Sequence, residues 1–174
     1  MIKKILKDAI EEDNDEMVNL LTEKDAYVNK ANKDGMTPLM IAANSGEITM
    51  VQRLLSTKAE INKQDVKGRT SLMYAVNSNM SSAAIVELLA QKADLNIPDQ
   101  KGWTALMHAA NNPDGMKKMK VLLRYGADVD LKNKKGQTAL DIARKNLEEA
   151  SKTKSSQIKE FEDIVNELEH VGTK

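Results

Sequence analysis

Two histidines, a single tryptophan, an N-terminal run of carboxylates and eight glycines are the residues of this chain whose types could do chemistry. His108 and His170 lie far apart in the sequence and have no cysteine beside them, because the chain contains none. A zinc site needs three or four nitrogen, sulfur or oxygen ligands converging on one point, so the histidines read as packing or surface residues. Nothing sets a base next to a serine in the manner of a hydrolase triad. Glu11, Glu12, Asp13, Asp15 and Glu16 could gather a cation, but they lack the Asp-x-Asp-x-Asp-Gly order of a calcium loop and read as a solvated face. The glycines form no Gly-x-Gly-x-x-Gly or Walker-type phosphate loop. The expectation is a protein without catalytic residues, metal or cofactor.

The elements that carry these residues are set by composition. In 174 residues, 41% are apolar and only 3% aromatic. That leaves Leu, Ile, Val, Ala and Met to build the core, a mixture suited to helices packed through small and flexible side chains. The length suits one domain or one continuous array. Without cysteine there is no disulfide framework, and the expected compartment is the cytoplasm. The N-terminal apolar residues are interrupted by Lys7 and Asp8 with no small-residue cleavage pattern after them, so no signal peptide is expected. No run approaches the roughly 20 apolar residues that span a bilayer. Formal net charge is zero but unevenly spread: residues 1–50 hold 6 Lys against 10 acids, and residues 131–159 hold 8 basic residues against 3 acids. Such alternation lacks the sustained basic face of a nucleic-acid binder.

A repeat organises the whole chain. Asp-Gly-Met-Thr-Pro-Leu-Met-Ile-Ala-Ala (34–43) aligns with Lys-Gly-Arg-Thr-Ser-Leu-Met-Tyr-Ala-Val (67–76), Lys-Gly-Trp-Thr-Ala-Leu-Met-His-Ala-Ala (101–110) and Lys-Gly-Gln-Thr-Ala-Leu-Asp-Ile-Ala-Arg (135–144). Gly35, Gly68, Gly102 and Gly136 are spaced by 33, 34 and 34 residues. Each glycine suits a turn with positive φ, and Thr37, Thr70, Thr104 and Thr138 sit where a helix N-cap belongs. Pro38 occupies the first helical position, where its missing N–H costs nothing. Alanine pairs keep the first helix of each unit narrow. Val51/Leu54/Leu55, Val86/Leu88/Leu89 and Val121/Leu122/Leu123 give a second helix its buried stripe, and Gly126 ends one such helix, with Lys58 and Lys92 in the same place in the other two units.

This pattern resembles the ankyrin repeat, whose signature is Gly-x-Thr-Pro-Leu-His-x-Ala-Ala, a Val-x-x-Leu-Leu block and Gly-Ala-Asp-Val-Asn; the last is echoed at 59–62, 93–96 and 127–130. The resemblance implies an all-α solenoid of paired antiparallel helices joined by β-hairpin-like loops. Three full repeats (34–66, 67–100, 101–134) are expected between an N-terminal cap repeat (1–33) and a C-terminal cap repeat (135–174), all in one domain. In the first cap, Leu6, Ala9, Ala26, Val28 and Asn29 each precede their counterparts by 33 residues. In the last, the first helix is expected to reach about Ala150 and a final helix to bury Ile158, Phe161, Ile164, Val165 and Leu168. Met40, Met73, Met107 and Asp141 stand where the family has His, so the hydrogen bonds of that His are expected to be missing and methionine to fill the space apolarly. His108 follows that position by one residue. An extra residue separates the helices of the second and third repeats, and Pro113-Asp114-Gly115 reads as a tight turn.

For function the resemblance implies a non-catalytic protein–protein interaction module: an adaptor, scaffold or inhibitor, monomeric, meeting its partner through hairpin tips and first helices. Carried onto this sequence, the partner-binding positions are Lys33, Met36, Asn44, Lys67, Arg69, Asn77, Lys101, Trp103, Asn111, Lys135 and Gln137. Trp103 stands out because tryptophan dominates binding hot spots; the alternative is a ring lying across its own repeat, shielding Tyr74 or His108. Lys33, Lys67, Arg69, Lys101, Lys134 and Lys135 give the tips one sign of charge, with Asp34 the local exception, which suits a partner with an acidic surface. The competing explanation is that lysines merely solubilise exposed hairpins. A second functional reading is a secreted effector of an intracellular bacterium acting in the host cytosol, to which the acidic stretch from Glu160 to Glu169 lends some likeness of a secretion signal. Neither nucleic acid nor membrane is an expected partner.

Overall fold

The computed structural model describes residues 28–153 and 155–172. Most of the expected N-terminal cap repeat, including Leu6, Ala9, Ala26 and the acids from Glu11 to Glu16, therefore lies outside the described residues. Among the described residues all regular structure is helical, in four successive units. The first holds α1 (Pro38–Ser45) and α2 (Ile48–Leu55), the second α3 (Ser71–Asn77) and α4 (Ala83–Ala90). The third holds α5 (Ala105–Ala110) and α6 (Met116–Arg124), the latter entered through a single 3₁₀ turn at Pro113–Gly115. The fourth holds α7 (Ala139–Thr153) and α8 (Ile158–Val171). The first helices stack α1 on α3 on α5 on α7, and the second helices stack α2 on α4 on α6 on α8.

Each first helix starts as its threonine dictates. The Oγ1 atoms of Thr37, Thr70 and Thr104 accept from the backbone N–H of Met40, Met73 and Met107 at 3.3, 3.4 and 3.4 Å. In the first unit Met40 does more than fill space: its sulfur accepts from the Thr37 N–H at 3.4 Å, closing a weak capping box. In the fourth unit Asp141 closes a stronger one, its carboxylate accepting from the Thr138 N–H at 2.9 Å while the Asp141 N–H donates to Thr138 Oγ1 at 3.2 Å. The departures from histidine thus replace part of its hydrogen bonding at two positions.

Between the two helix rows lies one continuous core. Ala42, Ala43, Ala75, Ala109, Ala110 and Ala143 are buried where neighbouring first helices approach, and Leu54, Leu89 and Leu122 fill the space beneath the second helices. Each such leucine contributes on the order of 2 kcal/mol. Phe161, Ile164, Val165 and Leu168 bury one face of α8, as the capping role requires, and α7 runs three residues beyond Ala150.

Polar stitches join each unit to the next. Asn29 Oδ1 accepts from the Glu60 N–H (2.7 Å) and its Nδ2 donates to the Lys58 carbonyl (2.9 Å); Asn62 and Asn96 accept from the N–H groups of Asp94 and Asp128 (2.9 and 3.0 Å). The carbonyl ends of the first helices are covered in the same manner. Ser78 Oγ donates to the Asn44 carbonyl, ending α1. The Lys118 ammonium, on a side chain from α6, donates to the carbonyls of Ala75 (3.0 Å), Val76 (3.1 Å) and Ser78 at the end of α3. The extra residue between helices in the third unit leads into Gly115, whose close approach to the Ala109 carbonyl leaves no room for a Cβ.

The hairpins between units stack as well: the Val66, Gln100 and Lys134 N–H groups donate to the carbonyls of Asp34, Lys67 and Lys101 at 3.2, 3.0 and 3.1 Å. Gly102 (φ +77°) and Gly136 (φ +74°) have the same left-handed backbone, but a Cβ at Gly102 would lie 2.8 Å from the Lys134 nitrogen while one at Gly136 would meet nothing within 4 Å. Gly136→Ala should therefore cost only the backbone strain, about 1 kcal/mol. Gly102→Ala carries the overpacking in addition, for a total of roughly 3 kcal/mol. Urea unfolding of the two variants checks this, and equal midpoints would show that stacking of the next hairpin does not constrain the turn.

Candidate partner-binding surface

The hairpins are built on a residue three positions before each glycine: Asn32, Asp65, Asp99 and Asn133. Its Oδ1 accepts two backbone N–H groups across the turn, from Asp34 and Met36, Lys67 and Arg69, Lys101 and Trp103, and Lys135 and Gln137, all at 2.7–3.1 Å. These four residues tie down the backbone of Met36, Lys67, Arg69, Lys101, Trp103, Lys135 and Gln137 among the tip positions proposed from the sequence, and sequence reasoning missed them. Their recurrence at the period of the glycines was the available signal.

Where this residue is Asp, the second carboxylate oxygen needs a partner of its own. In the second unit Asp65 Oδ2 accepts from Arg69 Nε (3.0 Å), Arg69 Nη2 (2.8 Å) and the Tyr74 hydroxyl (2.7 Å). The guanidinium also lies 4.5 Å over the Tyr74 ring. Burial alone would raise the Asp65 pKa, but the Arg69 N–H, the Tyr74 hydroxyl, the Arg69 guanidinium and the Lys67 N–H outweigh it and hold it below the usual value. Burial and the bond to Asp65 push the Tyr74 phenol well above its ordinary range.

In the third unit the same geometry has different chemistry. Asp99 Oδ2 meets His108 Nε2 at 3.1 Å, and the imidazole stacks at a tilt under Trp103 with ring centres 5.2 Å apart. Burial lowers the His108 pKa, the hydrogen bond and charge of Asp99 pull it back, and Arg69 and Lys101 lower it further. Trp103 is half-buried against the core, so it lies across its own repeat and shields His108 while keeping part of its ring exposed.

The proposed positions fall into two rows. Lys33, Lys67, Lys101, Lys134 and Lys135 are exposed at the hairpin tips with Met36, Trp103 and Gln137 half-buried among them, and Val66 is 57% exposed there. None of these five lysines forms an ion pair with a described residue. Arg69 is the exception: half-buried and bound to a carboxylate with no exposed side-chain surface, it contributes less charge to the tips than the lysines do. Asn44, Asn77 and Asn111 are exposed at the other end of the first helices, roughly 12 Å away at about 1.5 Å per residue. Asn111 is engaged there by Asn146 (3.1 Å).

Two open grooves lie near the C-terminal end. One of about 620 Å³ is lined by Met116, Lys120, Asp163, Asn166, Glu167 and His170. The other, of about 440 Å³, has Asn111, Asn146 and Phe161 among its walls. No three His, Asp or Glu among the described residues converge to hold a metal ion. No helix among them is long and apolar enough to cross a membrane.

Stacked helix pairs with projecting hairpins define an α-solenoid, a class that presents an extended surface rather than an enclosed pocket. The family model for ankyrin repeats (three copies) matches residues 6–99 and 78–153, and the chain belongs to the ankyrin-repeat family. Ankyrin repeats are generally protein–protein interaction modules and typically non-catalytic. No curated protein sequence matches the chain at a significant level.

Proposed function

We propose that this chain is a non-catalytic binding module, an adaptor, scaffold or inhibitor that meets an acidic surface on a partner protein through its hairpin tips and first helices. The observation that carries this reading is the row of lysines at 33, 67, 101, 134 and 135, exposed and without ion-pair partners among the described residues. Uncompensated charge of one sign steers and selects an oppositely charged partner. Trp103 and Val66 add apolar area between the lysines, the mixture in which hot spots occur. The reading carries with it a monomer working in the cytoplasm, in keeping with a sequence free of cysteine.

The test uses Lys67→Glu/Lys101→Glu/Lys134→Glu, which leaves Arg69 and its contacts intact, alongside Trp103→Ala. Affinity purification at low salt should recover a partner with the wild-type chain and lose most of it with either variant. Truncating a hot-spot tryptophan costs about 2 kcal/mol or more, near thirtyfold in affinity. Equal recovery by all three proteins would remove the hairpin row from the binding surface.

A further inference from the structure

The second and third units solve one problem in two ways. Each buries an aspartate whose Oδ1 ties the hairpin and whose Oδ2 faces the first helix nine residues on. In the second unit that oxygen meets Arg69, which stays charged at every physiological pH. In the third unit the Arg69 position is Trp103, which has no charge to offer, and the group facing Asp99 is His108, which titrates. The Asp99 and His108 side chains are 7% and 16% exposed. The His108 ring bonds through Nε2, so in its neutral form the proton is on Nε2 and donates to Asp99, leaving Nδ1 to take up the second proton.

We propose that Asp99 and His108 are positioning residues for Trp103 on the binding face, and that protonation of His108 makes the third hairpin a proton-responsive part of that face. The proposal concerns regulation of the surface described under Proposed function and, for its effect on affinity, rests on that reading. Protonation puts a positive charge on a ring whose centre lies 5.2 Å from that of the indole, within cation–π range, and adds that charge beside Lys101. The charged groups around the ring are Asp99 and Lys101 in its own hairpin and Arg69 in the preceding one. From α3 comes Tyr74, its hydroxyl already committed to Asp65. On the other side α7 buries Ala139, Ile142 and Ala143, with Asp141 and Arg144 exposed, and from α6 the buried Lys118 is bound to the end of α3. Burial sets the response below the ordinary histidine pKa, so it falls on the acid side of neutrality.

Trp103 is the sole tryptophan, and its emission reports on the pair directly. Fluorescence would be recorded from pH 8 to 4.5 in the wild type and in His108→Gln, which keeps a donor for Asp99, with far-UV circular dichroism confirming the fold throughout. The wild-type emission should fall on acidification with a midpoint below about 6.5, and His108→Gln should show no such transition. In parallel, the affinity for a peptide of aspartates spaced by Gly-Ser, whose carboxylates are mostly ionised at pH 5, should rise about threefold from pH 7.5 to 5 in the wild type, the scale of one added surface charge, and stay flat in the variant. Should His108→Gln fold poorly, the ring-proton NMR titration of wild-type His108, assigned against His170→Gln, replaces it and should show the same depressed midpoint. A transition that persists in His108→Gln, or a wild type without one below 6.5, overturns the proposal. Absence of peptide binding at every pH, with the fluorescence transition intact and specific to His108, overturns the acidic-partner reading and supports the proton response.

Discussion

Asp65→Ala should destabilise the protein by about 2–4 kcal/mol, the cost of removing a buried acceptor and leaving the half-buried Arg69 guanidinium without its counter-charge. Five donors converge on this carboxylate: the N–H groups of Lys67 and Arg69, two guanidinium nitrogens of Arg69 and the Tyr74 hydroxyl. Without it the buried Tyr74 hydroxyl keeps only Arg69, and the guanidinium loses its counter-charge. Asp65→Asn separates the two functions of the side chain. Asparagine ties the hairpin at Asn32 and Asn133, so the turn survives, but an amide NH₂ would face the Arg69 and Tyr74 donors, for a smaller loss of roughly 1–2 kcal/mol. The pH dependence has a definite sign. Because the folded-state pKa lies below the free value, this stabilisation is fully present above about pH 4 and disappears as pH falls through the lower folded-state pKa. Urea unfolding at pH 7 and pH 3 measures both effects; a wild-type-like midpoint for Asp65→Ala would show that the network is not stabilising.

Lys118→Met should cost about 2–4 kcal/mol, because a side chain of the same length leaves three carbonyls at the end of α3 without their donor. A loss of that size lowers the melting temperature by about 5–12 °C in a domain of this length. The lysine comes from the third unit and its acceptors from the second, so the effect should be concentrated between those units. Hydrogen exchange should show α3 and α6 losing protection more than α8. A melting temperature within a degree of the wild type would mean that water replaces the ammonium at no cost.

The parts of this molecule that were legible in the sequence are those set by near neighbours. Turn glycine, N-cap threonine and the following apolar helix lie within about ten residues, and the structure has them where the spacing predicts. The tip side chains were legible as positions but not as partners. Arg69 reads as one more tip cation because it stands at the turn glycine beside Lys67, whereas its guanidinium is held by Asp65 across the turn and by Tyr74 five residues further on. Nothing near Lys118 in the sequence marks it, since its acceptors lie some forty residues earlier and only stacking brings them near. Trp103 could be read either as a hot spot or as a cover for its own repeat, and its half-buried side chain against His108 has the second property while leaving the residue partly accessible.

The asparagine stitches have a direction. Asn29, Asn62 and Asn96 each reach forward to the backbone of the following unit, and Asp130 holds the corresponding place in the third unit. A copy of residues 67–100 inserted after itself would arrive with both halves of the joint: a backbone N–H for the asparagine behind it and an asparagine for the unit ahead. Lengthening by internal duplication is therefore self-fitting at the joints, and the Asp141 capping box of the fourth unit would be left untouched.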